Sequence, residues 1–371
     1  MKFRAFLAFT LVSAIAAIAA ETPFYVGCYT KPDGAKGIYR YQLDLDTGKV
    51  TGGTLVAEAK NPTFLAVHPS GDYLYAANEN QDGTIGAYEI LNDGGLKLLN
   101  VESAKGSGPC HITLDGDGKN VFVANYGSGS IACLPVKEDG SLAPASSAVQ
   151  HKGSSVDKVR QEGPHAHSIY ADAGEKFVYA CDLGLDQVLI YRLDAEKGGL
   201  TPATPPHATV PPGSGPRHLA FHPDGGYAYV LSEMASTISV FKHHADTGAL
   251  TAIQNVSTLP ANFKGNTSTA EIFAHPNGRF VYASNRGHDS IAAFAVDEQS
   301  GKLKPIGHTS TGGKTPRNFA IDPSGMWLIA ANQDTNNFIV LKIDPATGAL
   351  KATGQSLTVG MPVCVIFPPR R

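Results

Sequence analysis

Cysteine is scarce and odd in number, with five residues (Cys28, Cys110, Cys133, Cys181 and Cys364) in a chain of 371. That excludes a disulfide framework as the main source of stability and leaves at least one thiol unpaired. A Cys28–Cys364 bridge stays open, because the two fall on segments expected to become neighbours; the other reading is buried thiols packed as small apolar side chains. No Cys-x-x-Cys pair, His-Glu-x-x-His helix or EF-hand loop occurs, so the usual signatures of a metal site are missing, and neither a metal nor a cofactor is expected. A Gly-x-Ser-x-Gly nucleophile elbow is missing too. After residue 21 there is no apolar run of eighteen residues and no useful helical periodicity, which argues against a helical membrane span. The net charge is −3 and no basic stripe is present, so nucleic acid is not an expected partner.

The first twenty residues stand apart. Lys2 and Arg4 precede an apolar stretch from Ala5 to Ile18, and Ala17-Ile-Ala-Ala20 offers small residues for cleavage. This is the layout of a secretory signal peptide over residues 1–20, with residues 21–371 as one domain in the periplasm or outside the cell. The stretch is short for an uncleaved anchor.

What the chain has in quantity is turn residues, 40 Gly and 24 Pro, arranged in a phrase that recurs about every fifty residues. Pro62-Thr-Phe-Leu-Ala-Val-His-Pro-Ser-Gly, Pro216-Arg-His-Leu-Ala-Phe-His-Pro-Asp-Gly and Pro316-Arg-Asn-Phe-Ala-Ile-Asp-Pro-Ser-Gly are one sentence, with related copies at Pro109, Pro164 and Ala270. Each is followed by a Tyr/Val/Ala-rich run such as Tyr227-Ala-Tyr-Val-Leu-Ser, then an alternating run such as Thr237-Ile-Ser-Val-Phe, then a Gly turn such as Asp246-Thr-Gly-Ala-Leu. Short β-branched and aromatic runs between Gly and Pro turns read as antiparallel strands, four to a unit, labelled A to D from the inside out. Repetition of this period predicts a β-propeller. Six full units start near residues 62, 109, 164, 216, 269 and 316; the tail Gly360–Phe367 supplies a further strand A and Phe24–Tyr29 the matching strand B. The expected fold is therefore all-β, a seven-bladed propeller closed by one blade built from both ends of the chain.

In a propeller, strand A starts and strand B ends on the same face, beside the central channel, so the repeat says which residues share a ring. Aligned on the Pro/Gly turns, the residues opening strand A are Phe64, His111, His167, His218, Glu271, Asn318 and Cys364. Those leaving strand B are Glu79, Tyr126, Asp182, Glu233, Arg286, Gln333 and Tyr29, while His165, Arg217 and Arg317 come just before strand A. A rim with no task should carry the same bland residue in every unit, as the opposite face does. This one is differentiated, and it lies at the mouth of a closed β array, where pockets form; the competing reading is a set of solvated loop-end side chains. His167 or His165 together with Glu233 suits the activation of water, and Arg217 and Arg286 suit an oxyanion or carboxylate. His111, His165, Asp182, His218, Glu271, Arg317, Asn318 and Gln333 are the candidate substrate contacts. His68, His222 and His275, in the A-to-B turns, read as structural; His151, His243 and His244 read as surface residues. Asn125-Tyr-Gly-Ser-Gly-Ser has no helix behind it and so lacks the means to cradle a phosphate.

The phrases Gly163-Pro-His-Ala-His, Gly215-Pro-Arg-His-Leu-Ala-Phe-His-Pro, Tyr229-Val-Leu-Ser-Glu, Ala283-Ser-Asn-Arg-Gly and Thr315-Pro-Arg-Asn-Phe-Ala-Ile-Asp-Pro-Ser-Gly resemble those of the seven-bladed propeller lactonases. That family includes the propeller-type bacterial 6-phosphogluconolactonases and the fungal enzyme that cyclises carboxy-cis,cis-muconate, and the resemblance runs from about residue 22 to 367. It implies an active site at His167 (or His165), Arg217, Glu233 and Arg286, with a small-molecule sugar lactone as substrate. The leader departs from the cytoplasmic members of the family and points to an unphosphorylated aldonolactone. Two other readings remain, a lactonising cycloisomerase and a non-catalytic binding propeller of the cell envelope.

Overall fold

The computed structural model describes residues 21–369; the expected leader lies outside the described residues. Twenty-eight strands form seven four-stranded antiparallel sheets set in a ring. Blades 1 to 6 run in sequence order with strands A at Pro62–Val67, Pro109–Leu114, Ala166–Ala171, Pro216–Phe221, Ser268–Ala274 and Pro316–Ile321. In blade 7 the order is Pro362–Ile366, Glu21–Cys28, Gly37–Asp44, Val50–Glu58, with Val26 opposite Val365 and Gly27 opposite Cys364. The seam expected from the two partial units is thus closed by backbone pairing, which leaves no open edge between the chain ends. All five cysteines are buried free thiols, so the possible Cys28–Cys364 bridge is not formed; burial pushes the Cys28 thiol up to about 12.

Alternating residues on each sheet pack against the neighbouring blade. Phe24 and Tyr41 of blade 7 meet Phe338 of blade 6, Tyr41 edge-on at 4.9 Å. Polar ties join the blades on the A-to-B turn face. Tyr75 and Tyr179 of strands B donate to the carbonyls of Gly140 and Gly248 in the C-to-D turn of the following blade, at 3.0 and 2.9 Å. His68, His222 and His275 reach the carbonyls of Gly118, Gly278 and Gly325 one blade on, the structural role expected of them. Gly248 shows why the turn needs glycine: its φ is 74° and a Cβ there would stand 2.6 Å from the Phe177 ring. His243 is not at the surface as expected. It is buried, bonded to Tyr179 Oη at 2.8 Å and to the Gly225 carbonyl at 2.7 Å.

Candidate active site

Each strand A opens with a β-bulge. Pro62, Pro109, Ala166, Pro216 and Pro316 sit opposite Asn78, Asn125, Asp182, Ser232 and Asn332, and the next residue has no partner across the ladder. The bulge sets Thr63, Cys110, His167, Arg217 and Arg317 in one ring, and this corrects the sequence alignment in two places. His167 is equivalent to Arg217, not to His218, because blade 3 carries its Pro two residues before the strand instead of at its first position. Asp182 is equivalent to Asn78 and Asn125, so the rim position matching Glu233 in blade 3 is Leu183.

Asp182 accordingly lies off the rim and is fully buried. It does the work of its ring, tying the end of strand B to the connection from the preceding blade. Asn125, Asn285 and Asn332 do this by donating to the carbonyls of Ala104, Thr258 and Thr311. Asp182 does it as an acceptor, 2.7 Å from His151 Nδ1 and bonded to the backbone N–H groups of His165 and Gly184. His151, expected at the surface, is buried as the other half of this pair.

The differentiated rim does converge. Glu233, buried at the end of strand B of blade 4, receives three guanidinium groups: Arg217 Nε at 3.1 Å and Arg286 Nη2 at 2.8 Å on Oε2, and Arg160 Nη2 at 2.7 Å on Oε1. Burial opposes ionisation of its carboxyl, but Arg286, Arg217 and Arg160 outweigh it and hold the group at about 2. His167 Nε2 lies 4.0 Å from the same Oε2, near but beyond hydrogen-bond length. Burial, and after it the charges of Arg217 and Arg317, lower the proton affinity of His167 well below the usual histidine range, so its imidazole is neutral. Its Nδ1 is 3.7 Å from Cys110 Sγ, whose S–H points to the His167 carbonyl at 3.3 Å.

His165 stands further out. Its ring stacks on Tyr126 at 4.6 Å, its Nδ1 is 3.1 Å from the Tyr126 carbonyl, and Glu162 is 3.4 Å from Nε2. Of the two histidines left open by the sequence, His167 is the one beside Glu233.

Beneath this ring lies a buried polar layer. His218 Nε2 is 3.2 Å from Arg217 Nη1, which also donates to the Ala270 carbonyl. An arginine can only donate, so Nε2 accepts and His218 carries its proton on Nδ1, 2.7 Å from Glu271 Oε1. Asn318 Nδ2 donates to Glu271 Oε2 at 2.6 Å, and its Oδ1 accepts the Val365 N–H at 2.8 Å. Burial pushes the Glu271 carboxyl up to about 8, against the pull of Arg217, the Ile272 N–H and Asn318. His111 packs edge-on against His218 at 5.2 Å and tilts over Phe64 at 4.3 Å. These four expected contacts are each 2% exposed or less; Asn318, Glu271 and His218 are bonded in a chain that ends on Arg217, while His111 packs on His218 and accepts the Ile169 N–H at 3.4 Å.

The remaining candidates line the mouth. Arg317 Nη2 is 3.3 Å from Tyr29 Oη and lies over that ring, and Tyr29 Oη donates to Glu79 at 2.8 Å, a chain of contacts across the blade 7 seam. Two polar atoms of the rim are buried without a hydrogen-bond partner, Nε of Arg286 and Oε1 of Gln333. Among the described residues no set of three His, Cys, Asp or Glu side chains is arranged to hold a metal ion. Sequence reasoning missed Arg160, which sits on the connection between blades 2 and 3, outside the repeated phrase. The one available signal was the extra length of that connection, ending four residues after Arg160 at Pro164.

The chain matches the family model described as Lactonase, 7-bladed beta-propeller, over residues 23–367. It is 39% identical over 300 residues to a 6-phosphogluconolactonase of Bacillus subtilis, covering 80% of this chain and 84% of that one. It is 35% identical to a 6-phosphogluconolactonase of Formosa agariphila, covering 80% of this chain and 86% of that one. Among solved structures, the periplasmic gluconolactonase of Pseudomonas aeruginosa superposes with a TM-score of 0.89 at 35% identity, over 94% of this chain and 99% of that one. With the ring of seven blades and the differentiated rim in place, this chain belongs to the seven-bladed β-propeller lactonase family.

Proposed function

We propose that the protein hydrolyses a sugar δ-lactone of the gluconolactone or 6-phosphogluconolactone type at the Glu233 rim. The observation that carries this reading is the meeting of a neutral His167, an ionised Glu233 and two core-held arginines within one opening. His167 Nε2 takes a proton from the attacking water, and Glu233 Oε2 stabilises the imidazolium that forms, so the pair acts together as base. Held at about 2 by its arginines, Glu233 is a poor base alone and a good counter-charge. Arg217 and the unpartnered Nε of Arg286 face the oxygen that gains charge as the carbonyl becomes tetrahedral. Gln333 Oε1, with Arg317 and His165 at the mouth, suits sugar hydroxyls. His218, Glu271 and Asn318 hold Arg217 in place.

The leader-like first twenty residues favour export, with residues 21–371 as the mature domain, and export favours an unphosphorylated aldonolactone. The test is a pH-stat assay of protein starting at Glu21 with gluconolactone and with its 6-phosphate. Gluconolactone should be opened well above its spontaneous rate and in preference to the phosphate. No rate above background on either substrate would end this reading.

A further inference from the structure

Arg160 reaches Glu233 from a segment that the blade repeat does not contain. Its backbone is fixed: Asp157 Oδ1 accepts the N–H groups of Val159 and Arg160 at 2.9 Å each, and fully buried Gln161 donates to the Leu183 carbonyl at 2.9 Å. Its guanidinium is not. The side chain is 42% exposed, against 3% for Arg217 and 15% for Arg286, and it bonds Glu233 Oε1 and, at 3.2 Å, Tyr126 Oη. Glu233 Oε2 is therefore held from within the core and Oε1 from the solvent side. Only the Arg160 end of this pair is in solvent, 42% exposed against 8% for Glu233, so its guanidinium can be rehydrated as it leaves, whereas Arg217 or Arg286 would carry a buried charge with it.

Ring opening needs such a mobile cation. The water oxygen bonds to the carbonyl carbon and the ring C–O bond breaks; one water proton ends on the departing alkoxide, and the other is released when the new acid ionises. A carboxylate then stands in the mouth beside Glu233, and its new charge calls for a further guanidinium. We propose that Arg160 changes partner during turnover, holding Glu233 Oε1 in the empty site and crossing to the carboxylate that ring opening creates, so that it adds a product-specific contact to those made by Arg217 and Arg286. This rests on the lactone-opening reading above. The other groups facing Glu233 are Arg217 and His218 of blade 4, Arg286 of blade 5, His167 of blade 3 and Arg317 of blade 6, all on strands. Of the three guanidinium groups on Glu233, Arg217 and Arg286 are 3% and 15% exposed against 42% for Arg160, so Arg160 is the one with room to cross.

The test is calorimetric titration of gluconate into the native protein and into Arg160→Ala and Arg160→Lys, beside product inhibition of hydrolysis and binding of a neutral δ-lactam analogue. Arg160→Ala should bind gluconate about tenfold more weakly, as expected for one charge-assisted hydrogen bond, with the same loss in product inhibition and unchanged lactam affinity. Arg160→Lys should recover part of it. Unchanged gluconate affinity in Arg160→Ala, or equal losses for gluconate and lactam, overturns the proposal while native hydrolysis still stands. Absence of hydrolysis by the native protein overturns the reading beneath it as well.

Discussion

Arg217 and Glu233 stand on adjacent strands of blade 4, sixteen residues apart, with Nε of one 3.1 Å from Oε2 of the other. The bulge at Arg217 turns it into the mouth, and the buried pair is braced by Arg286 of blade 5 on the same carboxylate oxygen. Replacing Glu233 by Gln keeps the shape and removes the counter-charge for His167. Lactone turnover by Glu233→Gln should fall by roughly 10² to 10⁴ with an unchanged far-ultraviolet circular dichroism spectrum, as for loss of an acid–base partner. Native turnover in this variant would remove Glu233 from the mechanism.

The same carboxyl sets part of the acid stability. Its folded value of about 2 lies below the 4.5 of a free Glu, so the unfolded chain binds more protons between these limits and stability is lost as pH falls from about 4.5 to 2. The contribution is on the order of 3 kcal/mol at neutral pH. Melting curves against pH should show a shallower acid limb in Glu233→Gln than in the native protein. Parallel limbs would mean that the arginines do not hold the carboxylate in solution.

Arg286 combines a bond to Glu233, a bond to the Thr269 carbonyl at 2.7 Å and an unpartnered Nε. Lysine keeps the charge but cannot serve three directions at once. Arg286→Lys should lose about 10² to 10³ in kcat, the usual effect of removing one oxyanion donor, with a smaller change in KM. Loss confined to KM would assign Arg286 to ground-state binding.

Glu271 acts on Arg217 through His218. Its carboxyl, raised by burial to about 8 from 4.5, keeps its proton in the folded chain where the unfolded chain has lost it, so this group costs stability as pH rises from about 4.5 to 8. Glu271→Gln should flatten that descending limb. It should also lower kcat more than KM, because the fixed NH2 of an amide faces a donor, His218 Nδ1 or Asn318 Nδ2, whereas a carboxyl can shift or lose its proton, and Arg217 loses its rest. A variant with a native pH–stability curve and native kcat would leave Glu271 as mere filling.

Asp182→Asn separates support from chemistry. The change removes the acceptor that His151 Nδ1 faces and should destabilise the protein by about 1 to 3 kcal/mol, the usual cost of leaving a buried polar group unmatched, as read by denaturant unfolding. Turnover per folded molecule should stay within a few-fold of native. A loss of kcat as large as that of Glu233→Gln would return Asp182 to the catalytic set.

The repeat made the ring legible, because the fifty-residue phrase carries turn and strand chemistry that is local in sequence. It also brought Arg217, Glu233, Arg286 and His167 to one opening, since these belong to strand ends that every blade repeats. Two things were hidden. Blade 3 carries its Pro two residues before strand A instead of at its first position, so His167 and Asp182 were each read one position out and Asp182 looked like a rim residue. Arg160 was hidden for the opposite reason: a connection outside the repeat has no register to inherit, and its guanidinium reaches Glu233 from 73 residues away.

Blade 7 takes its innermost strand from residues 362–366, between the strands A of blades 6 and 1. A nascent chain still lacking that strand has an unclosed ring in which Tyr29 and Arg317 have no fixed relation. Competence for chemistry therefore comes only once residues 362–366 have emerged, and a ribosome-stalled product short of residue 362 should be folded in its middle blades yet inert.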